Sequence, residues 1–373
     1  MTAFVRSFST QQLLPPWRSE GCVRWGFVIN IPRDCVSDYL KKYMNVCDGD
    51  MPPYSYTPVD YGTADDQQYG MIIFAEHPDI FSTRENVHPN ALSYSEVFWT
   101  IPANRTQNVP GNISQEKELV WLQPFSFCNN ATVVFGSREI WGSDKVYATI
   151  DKTELSTHEW KVDVAIEGIK KFSPRAYGKA IGCMRIEKGQ SSEVQLQELL
   201  NGSERLDEFA RLLMGKRNEE KKDWAIYVGR DTPPAQIEFN TLKQFRSAEA
   251  DKMGEAIYRA IVASRAMHNN VGDLAFYDAK DAKVEFMWSD SVAQMVETLF
   301  DGKKPPGWRS VRPDEKPAQD GEVDWTLPRV SMEVELAFSF TSDVVFDDLE
   351  TLHTYGEVSM GEAEPQLAAS PPT

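Results

Sequence analysis

The chain of 373 residues carries 39 Lys and Arg side chains against 56 Asp and Glu, a formal net charge of −17 at pH 7. This acidic balance argues against nucleic acid or an anionic membrane as a partner. The 41% hydrophobic and 25% charged residues are ordinary for a globular protein with a sizeable core. No apolar run approaches 18 residues, so no membrane-spanning helix is predicted.

The cysteines and histidines show no pattern typical of a metal site. The five cysteines are odd in number, widely spaced and without a CxxC pair, and the five histidines have no ligand spacing. No Walker loop, GxGxxG or nucleophile elbow occurs. The N-terminus lacks an apolar signal region. We therefore predict a cytoplasmic protein with reduced thiols and with neither a metal nor a nucleotide cofactor.

Apolar, β-branched runs predict strands along most of the chain. Asn129 and Asn130 are predicted to form a hairpin turn, and an amphipathic helix is predicted through Val36 and Tyr43. A charged helical segment follows at 189–222, and a Pro-rich loop at 302–328. We expect one domain over 1–355, with an insertion at about 189–222 and a disordered tail at 356–373. The predicted strands are 22–31, 70–76, 119–127, 131–135, 160–166, 181–186 and 329–346.

Lys145 follows a strand and a short turn, in the run FGSREIWGSDK. It has two interpretations. In the first it is an ordinary surface lysine with its ammonium in water. In the second it is held in an apolar pocket that lowers its pKa from about 10.4, so that the neutral amine attacks a carbonyl carbon.

The run GSREIWGSDK resembles the signature of the acetoacetate decarboxylase family, in which a Gly-Arg-Glu turn leads to a Schiff-base lysine. Ser137 stands at the family's glycine, Asp144 replaces a proline, and Lys145 falls on the nucleophile. The family's second lysine is replaced by Val146, so the resemblance leaves burial as the main cause of a lowered pKa at Lys145.

Two further patches carry the resemblance and imply two more catalytic residues. Tyr94-Ser95-Glu96, followed by Ile101-Pro102, keeps the spacing of a family pattern whose glutamate lies near the nucleophile. Glu96 is therefore expected to move protons during imine formation; a solvated strand glutamate is the alternative. Arg24 stands three residues before Phe27, as a family arginine does, and is expected to attract the substrate carboxylate. The alternative for Arg24 is a surface arginine at the end of a strand.

The resemblance implies an α+β fold dominated by a closed, mainly antiparallel or mixed β-barrel with peripheral helices. Longer family members also resemble this chain in a strand at 240–246, a helix at 257–267 and a strand at 282–288. Their barrel encloses an apolar pocket, and we predict that Trp99, Phe127 and Val146 line it. A homo-oligomer is expected.

The function that follows is that of a lyase forming a Schiff base with a β-keto acid or related keto acid and decarboxylating it without a cofactor, in specialised metabolism. Loss of the second lysine, Ile72 at the place of a family carboxylate and the insertion favour a substrate larger than acetoacetate. Aldol addition, dehydration or cyclisation by the same lysine stays open. So does a non-catalytic barrel that binds an apolar small molecule and keeps Lys145 protonated.

Overall fold

The computed structural model describes residues 15–46, 52–61, 66–84, 92–108, 116–156, 159–171, 173–174, 176–190, 193–194, 235–246, 256–292 and 322–355. Strands dominate this part of the chain. In chain order they are β1 Trp17–Pro32, β2 Tyr54–Pro58, β3 Gln67–Ser82, β4 Leu92–Gln107, β5 Lys117–Cys128, β6 Lys145–Tyr147, β7 Thr149–Glu154, β8 Trp160–Gly168, β9 Lys179–Lys188, β10 Glu193–Val194, β11 Ala235–Arg246, β12 Ala256–Tyr277, β13 Ala282–Met287, β14 Arg329–Met332 and β15 Val334–Tyr355.

The helices are short. Helix α1 (Arg33–Tyr39) continues into a π-helical turn at Leu40–Met44, which confirms the helix predicted through Val36 and Tyr43. Helix α2 (Ala131–Gly136) continues into a second π-helical turn at Ser137–Trp141. A 3₁₀ turn spans Ala279–Asp281. No helix among the described residues is long and apolar enough to cross a membrane.

The larger sheet closes on itself in its hydrogen-bonding pattern. Its strands follow the order β2-β4-β3-β1-β15-β12-β11-β5-β6, and β4 also pairs with β5. Seven strands therefore form a ring of pairings in which β5 and β11 are parallel and the other contacts antiparallel. This ring agrees with the predicted strand-rich architecture, whereas the closed barrel as such stays a prediction.

The smaller sheet covers one face of the larger one. Its order is β14-β13-β9-β8-β7, and all its pairings are antiparallel. Trp160 of β8 packs edge-on against Trp25 and Phe27 of β1, with ring centroids 5.3 and 6.1 Å apart. These rings belong to one hydrophobic core that both sheets share, and their burial helps to stabilise the fold.

Two elements differ from the prediction for identifiable reasons. The β-branched run at 131–135 is helix α2 and not a strand, because the Asn130 side chain accepts hydrogen bonds from the backbone N–H groups of Thr132 and Val133. Asn130 therefore caps a helix and forms no hairpin turn. The helix predicted at 257–267 is part of β12, where pairing with β11 on one side and β15 on the other outweighs helix propensity.

Most of the remaining predicted strands are confirmed within longer elements, such as 22–31 within β1 and 240–246 as part of β11. The strand predicted at 282–288 is β13, which ends at Met287. The single strand predicted at 329–346 is wrong, because the chain leaves the smaller sheet after β14 and enters the larger one with β15. The predicted helical insertion contains the short strand β10, and its residues 195–222 lie outside the described residues. Most of the loop at 302–328 and the tail at 356–373 also lie outside them. The four described cysteines, Cys22, Cys35, Cys128 and Cys183, are buried and form no disulfide bonds.

Candidate active site

The turn that carries Lys145 is held in place by β11. Gly142 ends the π-helical turn at φ +69°, and a Cβ at this position would lie 2.5 Å from Cβ of Lys243. A left-handed backbone in such close contact requires glycine. Thr241 Oγ1 donates to the carbonyl of Trp141, and Lys243 Nζ donates to that of Ile140. These contacts fix where β6 begins, and so where Lys145 points.

Lys145 forms a buried ion pair with Glu96. Nζ of Lys145 donates to Oε2 of Glu96 over 2.5 Å, and the two residues are only 6% and 5% exposed. The sheet register brings them together, because Cys128 of β5 pairs with Glu96 and Ser126 with Lys145. Nζ also lies 5.8 Å from the centroid of the Tyr94 ring. Lys145 is therefore buried, as the second interpretation requires, and is not a surface lysine.

The pKa of Lys145 shifts in the direction opposite to the expected one. Burial lowers it, but the Glu96 carboxylate, with a smaller contribution from Cys128, raises the pKa of Lys145 above its ordinary value. Burial likewise raises the pKa of Glu96, but Lys145 and then His77 outweigh it and bring that pKa down to about 2. The expectation of a depressed lysine pKa is therefore wrong for the resting pair, because the nearby carboxylate stabilises the ammonium.

The three predicted catalytic residues line one cavity of about 90 Å³. Each strand contributes alternate residues to it, as the two-residue repeat of a strand requires. From β4 these are Tyr94, Glu96 and Phe98. From β12 they are Ser264, Ala266 and His268, and Arg24 enters from β1.

Arg24 gives this cavity a positive balance. Its Nη1 donates to Ser342 Oγ over 2.9 Å, and its guanidinium lies 5.9 Å from the Phe340 ring centroid. Among the described lining residues, Arg24 and Lys145 carry positive charges and Glu96 a negative one. Burial, and then the charge of Arg24, hold the pKa of His268 well below its ordinary range, so His268 is neutral. A carboxylate ligand would therefore meet a net positive site.

The predicted pocket residues lie elsewhere. Trp99 is on the opposite face of β4 from Glu96 and is packed in the main core, and Phe98 lines the cavity instead. This correction follows from strand alternation, since neighbouring residues point to opposite faces. Phe127 and Val146 likewise point away from Lys145, and they line a second cavity.

This second cavity is much larger, about 870 Å³. Its wall contains aromatic residues such as Tyr39 and Phe125, together with polar groups. Three residues line both cavities and so form the partition between them: Gln123, Ser143 and Thr241. Ser143 Oγ donates to Gln123 Oε1 over 3.0 Å within this partition. The space next to Lys145 is thus small, with a large volume directly behind its wall.

His77 is a residue of this site that the sequence analysis missed. Its Nε2 lies 3.5 Å from Glu96 Oε1, on the side of the carboxylate away from Lys145. The signal that could have identified it is strand register: His77 pairs with Tyr94, which places it diagonally across from Glu96. Among the described residues no group of three or more His, Cys, Asp or Glu side chains could hold a metal ion.

Comparison with known proteins gives matches in structure only. No family model and no curated protein sequence matches the chain. Acetoacetate decarboxylase from Legionella pneumophila is similar at 10% identity, over 95% of this chain and 93% of that chain, with a TM-score of 0.48.

Two further solved structures are similar over most of their length. The enduracididine biosynthesis enzyme MppR, complexed with pyruvate, matches at 11% identity over 93% of each chain, with a TM-score of 0.42. An acetoacetate decarboxylase-like enzyme from Sphingomonas wittichii RW1 matches at 8% identity over 93% of this chain and all of that chain, with a TM-score of 0.43. At such TM-scores we base the functional conclusions on the side-chain geometry alone.

Proposed function

We propose that this protein is a Schiff-base lyase that acts on a keto acid, with Lys145 as its nucleophile. The observation that carries the proposal is the buried Lys145–Glu96 pair, in contact over 2.5 Å within a cavity that Arg24 also lines. An amine nucleophile, a proton-transfer group and a cation for the substrate carboxylate are the parts that imine chemistry on a keto acid requires.

The pair supplies the neutral amine by proton transfer within the site. Glu96 accepts a proton from the Lys145 ammonium at Oε2, and the freed amine attacks the ketone carbon of the substrate. One proton moves from the new C–N nitrogen to the former ketone oxygen, which gives the neutral carbinolamine. The protonated Glu96 then returns this proton to the carbinolamine hydroxyl, which leaves as water and gives a protonated imine. The raised pKa of Lys145 and the lowered pKa of Glu96 favour the ion pair at rest, so this proton transfer is an uphill step. Burial lowers its cost, because a neutral amine and carboxylic acid need no solvation of charge.

Decarboxylation follows if the substrate is a β-keto acid. The bond to the carboxylate breaks, its electrons move into the iminium, and CO₂ leaves behind an enamine. Protonation at carbon and hydrolysis of the imine then release the ketone and restore Lys145. Arg24 is the group that attracts the substrate carboxylate to the cavity.

The neighbouring cavity of about 870 Å³ supports a substrate larger than acetoacetate. Because Gln123, Ser143 and Thr241 line both cavities, movement of their side chains would connect them. The distal part of the keto acid would then lie against Phe127 and Val146. The walls combine aromatic rings with amide groups and with the charged residues Arg138, Asp144 and Arg259, so they suit a large substituent that carries both apolar and polar groups, such as a substituted aryl group.

The same enamine is also the nucleophile of aldol addition and the intermediate of dehydration. Release of CO₂ separates these reactions. With a β-keto acid labelled with ¹³C at the carboxylate, we expect labelled CO₂ and bicarbonate in the NMR spectrum, and none above background with Lys145→Ala. Consumption of the keto acid with an aldehyde but without labelled CO₂ would instead indicate an aldolase.

A second candidate function is non-catalytic binding of an acidic, largely apolar small molecule. The observation that favours it is the raised pKa of Lys145, which keeps the ammonium charged at neutral pH. In that case keto acids would bind in proportion to their carboxylate and apolar group, and none would form a covalent adduct.

A further inference from the structure

A buried row of polar side chains continues from Glu96 away from the cavity. His77 comes first, with its side chain fully buried. Its Nε2 has no hydrogen-bond partner among the described residues and faces Glu96 Oε1 at 3.5 Å, a contact longer than an ordinary hydrogen bond. Behind the imidazole, Nδ1 lies 3.0 Å from Ser19 Oγ and 3.3 Å from Cys22 Sγ. The Cys22 thiol donates to Ser19 Oγ over 2.9 Å. Lys145, Glu96, His77, Ser19 and Cys22 thus form one contiguous chain of polar contacts.

The Glu96 carboxylate indicates which nitrogen of His77 carries a hydrogen. Nδ1 contacts Ser19 Oγ, a hydroxyl that can donate or accept, so Ser19 is compatible with Nδ1 as an acceptor. A hydrogen on Nε2 then points at Glu96. The other tautomer would set a nitrogen lone pair against a carboxylate oxygen in a buried site, which is repulsive.

Packing holds this imidazole in one orientation. The Tyr94 ring stacks on His77 with centroids 4.3 Å apart and an interplanar angle of 7°. Tyr94 is also the partner of His77 in the β3–β4 register, so backbone and side-chain contacts agree. The imidazole therefore has little freedom to turn away from Glu96.

We propose that His77 is a positioning residue for Glu96: its Nε2–H holds Oε1, so that Oε2 stays directed at Lys145. This role rests on the proposed imine chemistry of Lys145. A carboxylate that exchanges a proton with an amine must keep one oxygen on that amine through each step. His77 supplies the fixed second contact, and the facing Glu96 carboxylate favours the tautomer with a hydrogen on Nε2.

The surroundings of His77 are consistent with this role. The charged or titratable groups that face it and Glu96 lie on five strands: Cys22 and Arg24 on β1, Tyr94 and Glu96 on β4, Cys128 on β5, Lys145 on β6 and His268 on β12. Burial keeps Tyr94 and Cys128 neutral by raising the pKa of each, that of Cys128 to about 11. Burial also raises the pKa of Cys22, but the contacts with His77 and then the charge of Arg24 bring it below its ordinary value. Cys22 lies on the Nδ1 side of His77, so Glu96 is the anion that Nε2 faces.

Two substitutions separate the hydrogen-bond role of His77 from its packing role. His77→Gln keeps an N–H donor at about the same reach but loses the ring, whereas His77→Phe keeps a ring against Tyr94 but loses the donor. We would measure the rate at which the Lys145 adduct accumulates with acetoacetate and cyanoborohydride. We expect His77→Phe to slow this rate at least about tenfold and His77→Gln to stay within about threefold of the wild-type protein.

The controls keep each outcome decisive. Melting temperatures show whether the variants fold, and His77→Leu replaces the phenylalanine variant if that one does not. His353→Gln, on β15 outside the cavity lining, controls for loss of a histidine. Equal rates for His77→Phe and His77→Gln would overturn the positioning role of His77 but would leave the imine chemistry of Lys145 untouched. No adduct in the wild-type protein would overturn the imine chemistry, and the role of His77 with it.

Discussion

Nζ of Lys145 and Oε2 of Glu96 lie 2.5 Å apart, although 49 residues separate them in the sequence. Both side chains are buried, so each charge depends on the other for compensation. This contact sets the resting charges of the site: Lys145 is an ammonium and Glu96 is a carboxylate.

Glu96→Gln should lower the pKa of Lys145. In the wild-type protein the carboxylate outweighs burial and raises this pKa above 10.5; without the carboxylate, burial remains and lowers it. Labelling with an amine-specific reagent as a function of pH, followed by peptide mass spectrometry, gives the midpoint for Lys145. We expect a midpoint above 10.5 in the wild-type protein and below it in the variant.

Lys152 is an internal control for this measurement, since its Nζ lies 3.1 Å from Glu76 and not near Glu96. Its labelling should not differ between the two proteins. An unchanged or higher midpoint for Lys145 in Glu96→Gln would show that Glu96 does not stabilise the ammonium.

The ion pair should make its two single substitutions more harmful than the double one. Lys145→Met leaves Glu96 buried without a counter-ion, which should reduce the free energy of unfolding by about 3 kcal/mol at pH 7. Lys145→Met combined with Glu96→Gln removes both charges and should recover more than half of this loss. Urea unfolding of Lys145→Met, Glu96→Gln and the double variant measures these free energies. A double variant that is less stable than Lys145→Met would contradict the pairing.

Acid should remove the contribution of Glu96 to stability. The pKa of Glu96 in the folded protein is about 2, below its ordinary value of 4.5. A carboxyl group with a lowered pKa stabilises the fold above its unfolded-state pKa, and the contribution is lost as the pH falls from 4.5 toward 2. The stability difference between the wild-type protein and Glu96→Gln should therefore shrink as the pH falls below 4.5. A difference that grows in acid would contradict the lowered pKa.

Arg24→Gln should weaken formation of the Lys145 adduct with keto acids but not with neutral ketones. Without the guanidinium the cavity loses a positive charge that attracts a carboxylate, so half-maximal adduct formation should need at least about tenfold more acetoacetate. Acetone has no carboxylate, so the concentration dependence of its adduct should change by less than about threefold. Equal losses for both ligands would indicate that Arg24 only supports the fold through Ser342.

Val146→Trp should reduce the preference for large substrates. Val146 lines the larger cavity, and an indole there would occupy space assigned to the distal group of the substrate. We expect the ratio of adduct rates, 3-oxo-5-phenylpentanoate over acetoacetate, to fall about tenfold or more. The neighbouring variant Tyr147→Trp is the control, because Tyr147 is 56% exposed and is absent from the described lining of both cavities. The same ratio of adduct rates in Val146→Trp and Tyr147→Trp would show that the larger cavity does not hold the substrate.

The sequence was informative where a short motif carries the chemistry. Lys145, Glu96 and Arg24 were each identified from a local pattern, and the structure brings them to one cavity. Strand alternation also explains the error at Trp99: it was named with Glu96, although an odd spacing on a strand places the two on opposite faces. Phe98 was the choice that this rule favours.

What the sequence did not reveal depends on contacts between distant strands. His77 has no motif of its own, and its contact with Glu96 follows from the β3–β4 register. The strand β12 contains alanine and arginine residues that favour a helix, but pairing with β11 and β15 makes it a strand. The sequence also did not reveal the raised pKa of Lys145, because this pKa is raised by a carboxylate on another strand.

The most direct test of Lys145 as a Schiff-base nucleophile is reduction with borohydride in the presence of β-keto and α-keto acids, followed by peptide mapping. Lys145→Ala is compared with Lys152→Ala, which removes a lysine paired with a different glutamate. We predict one reduced adduct on Lys145 that persists in Lys152→Ala and is absent from Lys145→Ala. The absence of an adduct on Lys145 with every keto acid, while a keto acid still binds, would contradict the lyase mechanism and indicate the non-catalytic binding protein.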